Sequence, residues 1–347
     1  MDFLIGTLTK KGGQGILRCR FIENQLKTLW IDGTLQEPNW IIAGENGHFF
    51  STCEKDGRGH VAEWTITQNG IHVLAMADAH GDAPCHLVLD KAKRFLYCAN
   101  YVTGSVAVFP MTDGLCEVVQ VMQNTGCGFD KFGRQAGPHM HQVSFMPDGR
   151  LLAVDLGLDA LCIYEVDAET GRLTEVERLS VQPSGSGARH IIFRDENTFY
   201  LSHEMGGLVS LFKKQDGHFA RCQTLSTLPS GYTGFNNAAA IRLNAQKNTL
   251  YVSNRGHESI AEFALDADGT MAFKRHISCG YFPRDFLVLP DGRLLVADQG
   301  SNDPALAVLN GSLSLLAPDG TLLSSVHVPA AVSVLVVSGQ WPVVSGQ

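Results

Sequence analysis

Apolar and polar positions alternate along this chain in short runs, and helical periodicity is nowhere sustained. One unit recurs: an apolar run ends in a polar step, a tight turn follows, and a second apolar or alternating run returns. The first runs include Phe3-Leu4-Ile5, Phe49-Phe50-Ser51, Phe95-Leu96-Tyr97, Leu151-Leu152-Ala153, Phe199-Tyr200-Leu201, Leu250-Tyr251-Val252 and Leu294-Leu295-Val296. Anchored at Leu4, Phe50, Tyr97, Leu152, Tyr200, Tyr251 and Leu295, these seven units are spaced 44 to 55 residues apart. A preceding run recurs as well, as in Pro84-Cys85-His86-Leu87-Val88-Leu89 and Pro283-Arg284-Asp285-Phe286-Leu287-Val288. Turn residues such as Pro147-Asp148-Gly149, Asp266-Ala267-Asp268-Gly269 and Pro290-Asp291-Gly292 punctuate the pattern.

Roughly four strands per unit, seven times over, predict an all-β chain folded as a seven-bladed β-propeller. The first unit begins at its second strand, and Val332 to Val337 is an apolar run of the kind that opens a unit. The ends therefore predict a ring closed by pairing of the N- and C-terminal strands, which hides edges that would otherwise template aggregation. Residues 1–340 read as one propeller, and 341–347, a second copy of Val-Val-Ser-Gly-Gln, as a loose tail.

Composition adds exclusions. The 347 residues carry 27 Lys+Arg against 35 Asp+Glu, a formal charge of −8, which argues against nucleic acid as partner. Met1-Asp2-Phe3-Leu4-Ile5 lacks the pattern of a signal peptide, and the apolar stretch Ala330 to Val337 is far short of the roughly 18 residues that cross a bilayer, so no membrane partner is expected. Nine scattered cysteines with no CxxC pair suit a reducing cytoplasm, most of them as buried thiols. Nothing in the sequence signals an oligomeric state. His139-Met140-His141 lacks an identifiable third metal ligand, and Gly12-Gly13-Gln14-Gly15 lacks the Lys-Ser/Thr of a phosphate loop, so neither metal nor cofactor is expected.

In a propeller the first strand of each blade lines the central channel, so equivalent places meet around the axis. Just inside the first strands these places read Cys85, His141, Arg189, Ala239 and Arg284, then His86, Gln142, His190, Ala240 and Asp285. Arginines and histidines on channel strands are costly unless carboxylates, water or a ligand offset their burial. The polar step of the second strands supplies counter-groups: Cys53-Glu54, Asn100-Tyr101, Asp155-Leu156, His203-Glu204, Asn254-Arg255 and Asp298-Gln299. The pattern predicts one axial cluster of Glu54, Asn100, His141, Asp155, Arg189, Glu204, Asn254, Arg255 and Arg284, against the alternative of structural ion pairs between blades.

At these residues the sequence resembles the seven-bladed lactonase family, which includes propeller-type 6-phosphogluconolactonases and carboxymuconate lactonizing enzymes. The matching stretches include Asn100-Tyr101-Val102-Thr103-Gly104, Arg134-Gln135-Ala136-Gly137-Pro138-His139-Met140-His141-Gln142, Asp155-Leu156-Gly157-Leu158-Asp159, Gly187-Ala188-Arg189-His190, Ser253-Asn254-Arg255-Gly256-His257 and Gly280-Tyr281-Phe282-Pro283-Arg284. The resemblance implies a catalytic pocket of His141 (or His139), Arg189, Glu204 and Arg255, acting on a small sugar lactone, phosphorylated or not. Glu54, His86, Asn100, His139, Asp155, His190, Asn254 and Arg284 are the expected substrate-binding residues.

Opening a lactone needs an activated water, charge stabilisation at the carbonyl oxygen and a proton for the leaving ring oxygen. His141 is the expected base, with Glu204 orienting it or sharing the proton work, Arg189 or Arg255 meeting the oxyanion and Arg284 holding a substrate carboxylate or phosphate. Two alternatives stand beside hydrolysis: lactonization of a carboxylated muconate on the same arginines, and a non-catalytic propeller that binds a partner.

Overall fold

The computed structural model describes residues 1–301 and 309–337. Among these residues, seven four-stranded antiparallel sheets follow one another around a ring. The fourth blade is typical, with strands Met140–Phe145, Leu151–Asp155, Ala160–Val166 and Leu173–Ser180 from the axis outward. The first blade is assembled from both ends of the chain. Strand Ala331–Val337 lies innermost and pairs antiparallel with Asp2–Thr7, through Phe3↔Val336 and Ile5↔Val334. This is the closure the apolar ends predicted. The expected tail, 341–347, lies outside the described residues.

Strand alternation explains why the second strands are apolar on both faces. In Leu151–Asp155, Leu151 and Ala153 pack with Tyr97, Val106 and Val108 of the third blade. Leu152 and Val154 turn the other way, onto Ile191, Phe199 and Leu201 of the fifth. Successive side chains point to opposite faces, and here each face meets a neighbouring blade. Seven such interblade layers close the ring. The outermost strands need only one apolar face, and Leu173–Ser180 is largely exposed.

The cysteines are all unpaired, but fewer are buried than the sequence suggested: Cys19, Cys53, Cys98 and Cys162 are buried, while Cys127 and Cys222 are exposed. Among the described residues no helix is long and apolar enough to cross a membrane.

Candidate active site

The inner strands are not regular where they meet the pocket. In the third blade Pro84 pairs with Asn100 and His86 with Ala99, which leaves Cys85 as an extra residue. The same slip leaves His141, Arg189 and Arg284 unpaired in their blades, Ala239 and Ala240 in the sixth, and Val332 in the first. A β-bulge sets two residues against one and re-aims the extra side chain. Six of the seven blades use it at the same height, and in three of them the residue turned inward is His141, Arg189 or Arg284. His141 and Arg284 line a cavity of about 260 Å³ with Tyr101, Arg134, Glu204, Arg255 and Phe282, and Arg189 is buried beside it against Glu204.

Glu204 is the hub of that cavity. Its Oε2 accepts from Arg189 Nε at 2.8 Å and sits 2.9 Å from Arg255 Nη2, while Oε1 accepts from Arg134 Nη1 at 2.6 Å. His141 Nε2 lies 3.9 Å from Oε2. Arg255 also donates to the carbonyls of Asn237 and Ala238, and its guanidinium stands over the Phe282 ring. Arg134 Nη2 reaches Tyr101 Oη at 2.7 Å. Arg284 donates to Gln299 Oε1 at 3.2 Å and has no carboxylate partner among the described residues. Three guanidiniums thus share one carboxylate and a fourth stands near without one, in a protein whose overall charge is −8.

The field sets the protonation states. Burial alone would raise the Glu204 carboxyl, but Arg255, Arg189 and Arg134 outweigh it and hold the group well below the usual carboxylate range. Burial, then Arg189, pushes His141 well below its ordinary value, so its imidazole is neutral at neutral pH. Its Nδ1 is buried without a hydrogen-bond partner. Burial and the neighbouring Arg255 lower Arg189 to about 9, which leaves it charged at neutral pH. Burial, with Arg284 and Arg255 near by, also lowers the Lys11 ammonium.

Not every expected residue belongs to this cavity. Asn100, Asp155 and Asn254 occupy one repeated place, one residue before the hollow-facing place, so alternation turns them into the blade. Asn100 donates to the Ala79 carbonyl and Ser105 Oγ, and Asn254 to the Thr227 carbonyl. Asp155 accepts from the backbone of His139 and Leu158 and from Asn124. These three fasten turns and do not line the cavity. Glu54 stands at the same place in its blade as Glu204, but Lys10 takes its carboxylate, and it does not line the cavity.

His86 and His190 lie behind the cavity wall. His86 stacks on Trp40 with centroids 4.3 Å apart, and His190 packs edge-on to both His86 and His141. Burial lowers His86 to about 3 and His190 well below its usual value, so both are neutral, and Arg189 Nη1 lies 3.2 Å from His190 Nδ1. His139 stacks on Tyr101 and bonds its carbonyl through Nδ1, which leaves His141 as the histidine of the pocket. Among the lining residues that escaped the sequence-based set are Tyr101 and Arg134. Tyr101 sits at the repeated place of Glu204 and Arg255 and was legible there. Arg134 lies in the long connection between the third and fourth blades, where no period applies. Among the described residues no group of three His, Cys, Asp or Glu is arranged to hold a metal ion.

Comparison with known proteins agrees with this fold. The family described as "Lactonase, 7-bladed beta-propeller" matches residues 2–336. A protein of Lactococcus lactis subsp. cremoris is 33% identical over 326 residues, which cover 90% of this chain and 94% of the relative. The solved periplasmic gluconolactonase of Pseudomonas aeruginosa is 29% identical, with a TM-score of 0.85 over 96% of this chain and 98% of that one. A Bacteroides fragilis structure that carries the provisional name 6-phosphogluconolactonase is also 29% identical, with a TM-score of 0.84 over 97% and 98%. With a match that spans nearly all of its length, this chain belongs to the seven-bladed β-propeller lactonase family.

Proposed function

We propose that this protein hydrolyses a sugar lactone that bears an anionic group, in the manner of a 6-phosphogluconolactonase. The observation that carries the reading is the pocket itself, where three guanidiniums share one carboxylate beside a neutral imidazole and a fourth guanidinium that has none. Such an excess of buried positive charge is costly without an anion to meet it. The names of the P. aeruginosa and B. fragilis relatives support a sugar lactone, and the second of them a phosphorylated one. The nine unpaired cysteines support a cytoplasmic location.

The chemistry follows from the charges. A water between His141 and the lactone carbonyl gives its proton to His141 Nε2 as its oxygen attacks carbon. The carbonyl oxygen becomes an oxyanion, met by N–H groups of Arg189 and Arg255 that Glu204 does not occupy. The tetrahedral intermediate collapses, the carbon–ring-oxygen bond breaks, and the imidazolium returns its proton to the leaving oxygen. The lowered proton affinity of His141 makes it a good donor in that last step. Glu204 holds its own charge too firmly to share the proton work, so its role is to orient Arg189 and Arg255. Arg284, without a carboxylate partner, takes the anionic substituent.

Initial rates of hydrolysis of 6-phosphogluconolactone, corrected for spontaneous opening, test the assignment. We expect His141→Ala to lose on the order of 10²–10⁴ in kcat. Arg189→Ala loses on the order of 10²–10³. Folded variants with unchanged rates remove both roles.

A further inference from the structure

We infer that Arg134 is a specificity-determining residue that recruits lactones with an anionic substituent at the pocket mouth, an inference that rests on the lactonase reading above. Arg134 is carried by the connection 124–139 between the third and fourth blades. This connection is built from within: Gly128 N–H donates to the Gln135 carbonyl at 2.8 Å and Arg134 N–H to Asp130 Oδ2 at 3.2 Å. Gln135, fully buried, donates from Nε2 to the Leu156 carbonyl and to Asp159 Oδ2. The residue beside Arg134 is therefore fixed, and the arginine is held over the pocket by a formed loop.

Its side chain differs from the other two guanidiniums on Glu204. Arg134 is 41% exposed, whereas Arg189 and Arg255 are 3% and 7% exposed. Glu204 does not need it for neutralisation, because two guanidiniums already hold Oε2. Arg134 adds to an existing positive excess at the point where solvent meets the cavity. It also lies across the axis from Arg284, since the third-to-fourth connection and the seventh blade are about half a ring apart. An entering anion meets Arg134 first and Arg284 beyond it.

A half-exposed charge at a mouth acts through water. Its attraction is long-ranged, screened by salt, and expressed in capture more than in the bond-breaking step. A loss at Arg134 therefore falls on KM and kcat/KM of charged substrates. Loss of a purely structural contact falls on all substrates alike.

The test compares wild type, Arg134→Gln and Arg134→Lys on three lactones: neutral glucono-1,5-lactone, 6-phosphogluconolactone, and a glucarolactone bearing a carboxylate. For at least one anionic lactone, Arg134→Gln is expected to lower kcat/KM about tenfold or more through KM, and the neutral lactone less than about threefold. The gap narrows at about 0.2 M salt, and Arg134→Lys restores most of it. A response to the phosphate or to the carboxylate compound alone supports the inference and identifies the substituent. Equal losses on neutral and anionic lactones, or a loss in kcat with KM unchanged, overturn it. Should wild type open none of the three, the lactonase reading fails, and calorimetric binding of 6-phosphogluconate decides the role of Arg134. Weaker binding by Arg134→Gln at low salt then supports recruitment, and equal affinity overturns it.

Discussion

At Glu204 burial disfavours the carboxylate, while guanidiniums at 2.6, 2.8 and 2.9 Å favour it and win. Replacing it with glutamine removes the one negative charge among four arginines. Breaking a buried pair from one side costs on the order of 3–5 kcal/mol, so Glu204→Gln is expected to lower the denaturation midpoint strongly. The sign of its pH dependence follows from the depressed folded pKa. The stabilisation is complete above the unfolded carboxyl value of about 4.3 and is lost as pH falls through the lower folded value. Denaturant melts of wild type and variant at pH 7 and pH 3.5 check this, with a smaller difference expected at the acid end. His141 is lowered as well, but for an imidazole this favours the neutral form. Because burial and Arg189 keep it neutral well below its ordinary value, the acid limb of kcat is expected below pH 6.5, as a pH–rate profile will show.

At the scale of elements, the bulges and one aspartate position the site. Asp159 accepts from the backbone N–H groups of Gly185, Gly187 and Ala188 and from Gln135 Nε2. It ties the strand that carries Arg189 to the loop that carries Arg134. Asp159→Asn turns an oxygen that receives two donors into a donor, and is expected to cost about 2–4 kcal/mol and to lower activity with it. Thermal melts and rates on the same preparation check the pairing of the two losses. The same scale explains what was legible in the sequence. The blades could be read because interblade burial on both faces writes a continuous apolar run into every second strand, and that run recurs from blade to blade. His141, Arg189, Glu204, Arg255 and Arg284 could be read because the repeat places them at equivalent heights. Asn100, Asp155 and Asn254 stand outside the cavity lining, since one residue of offset decides between hollow and blade, and polarity alone does not reveal that phase. Arg134 was missed because an irregular connection carries no period.

Over the whole molecule, stability depends on closing the ring and on keeping histidines neutral. Strand Ala331–Val337 supplies the innermost strand of the first blade, and Val334 N–H also donates to Asp285 Oδ2 in the seventh. A chain ending at Ala330 exposes the Asp2–Thr7 edge, and is expected to unfold or aggregate, read by light scattering and circular dichroism. His86, His141, His190 and His203 are all lowered by burial, so the unfolded chain binds protons that the folded one refuses. Stability is therefore expected to fall as pH drops below about 6.5, by about 1.4 kcal/mol per pH unit for each histidine that stays neutral. His203→Gln should flatten that slope without touching the cavity, because the His203 ring bonds Ser186 and Ser210 and does not line the cavity. The most direct measurement of the central claim is proton release by wild-type protein from a panel of phosphorylated, carboxylated and neutral sugar lactones, above the spontaneous rate. Saturable release, fastest with an anionic lactone, is the predicted result; no acceleration with any member of the panel contradicts the account.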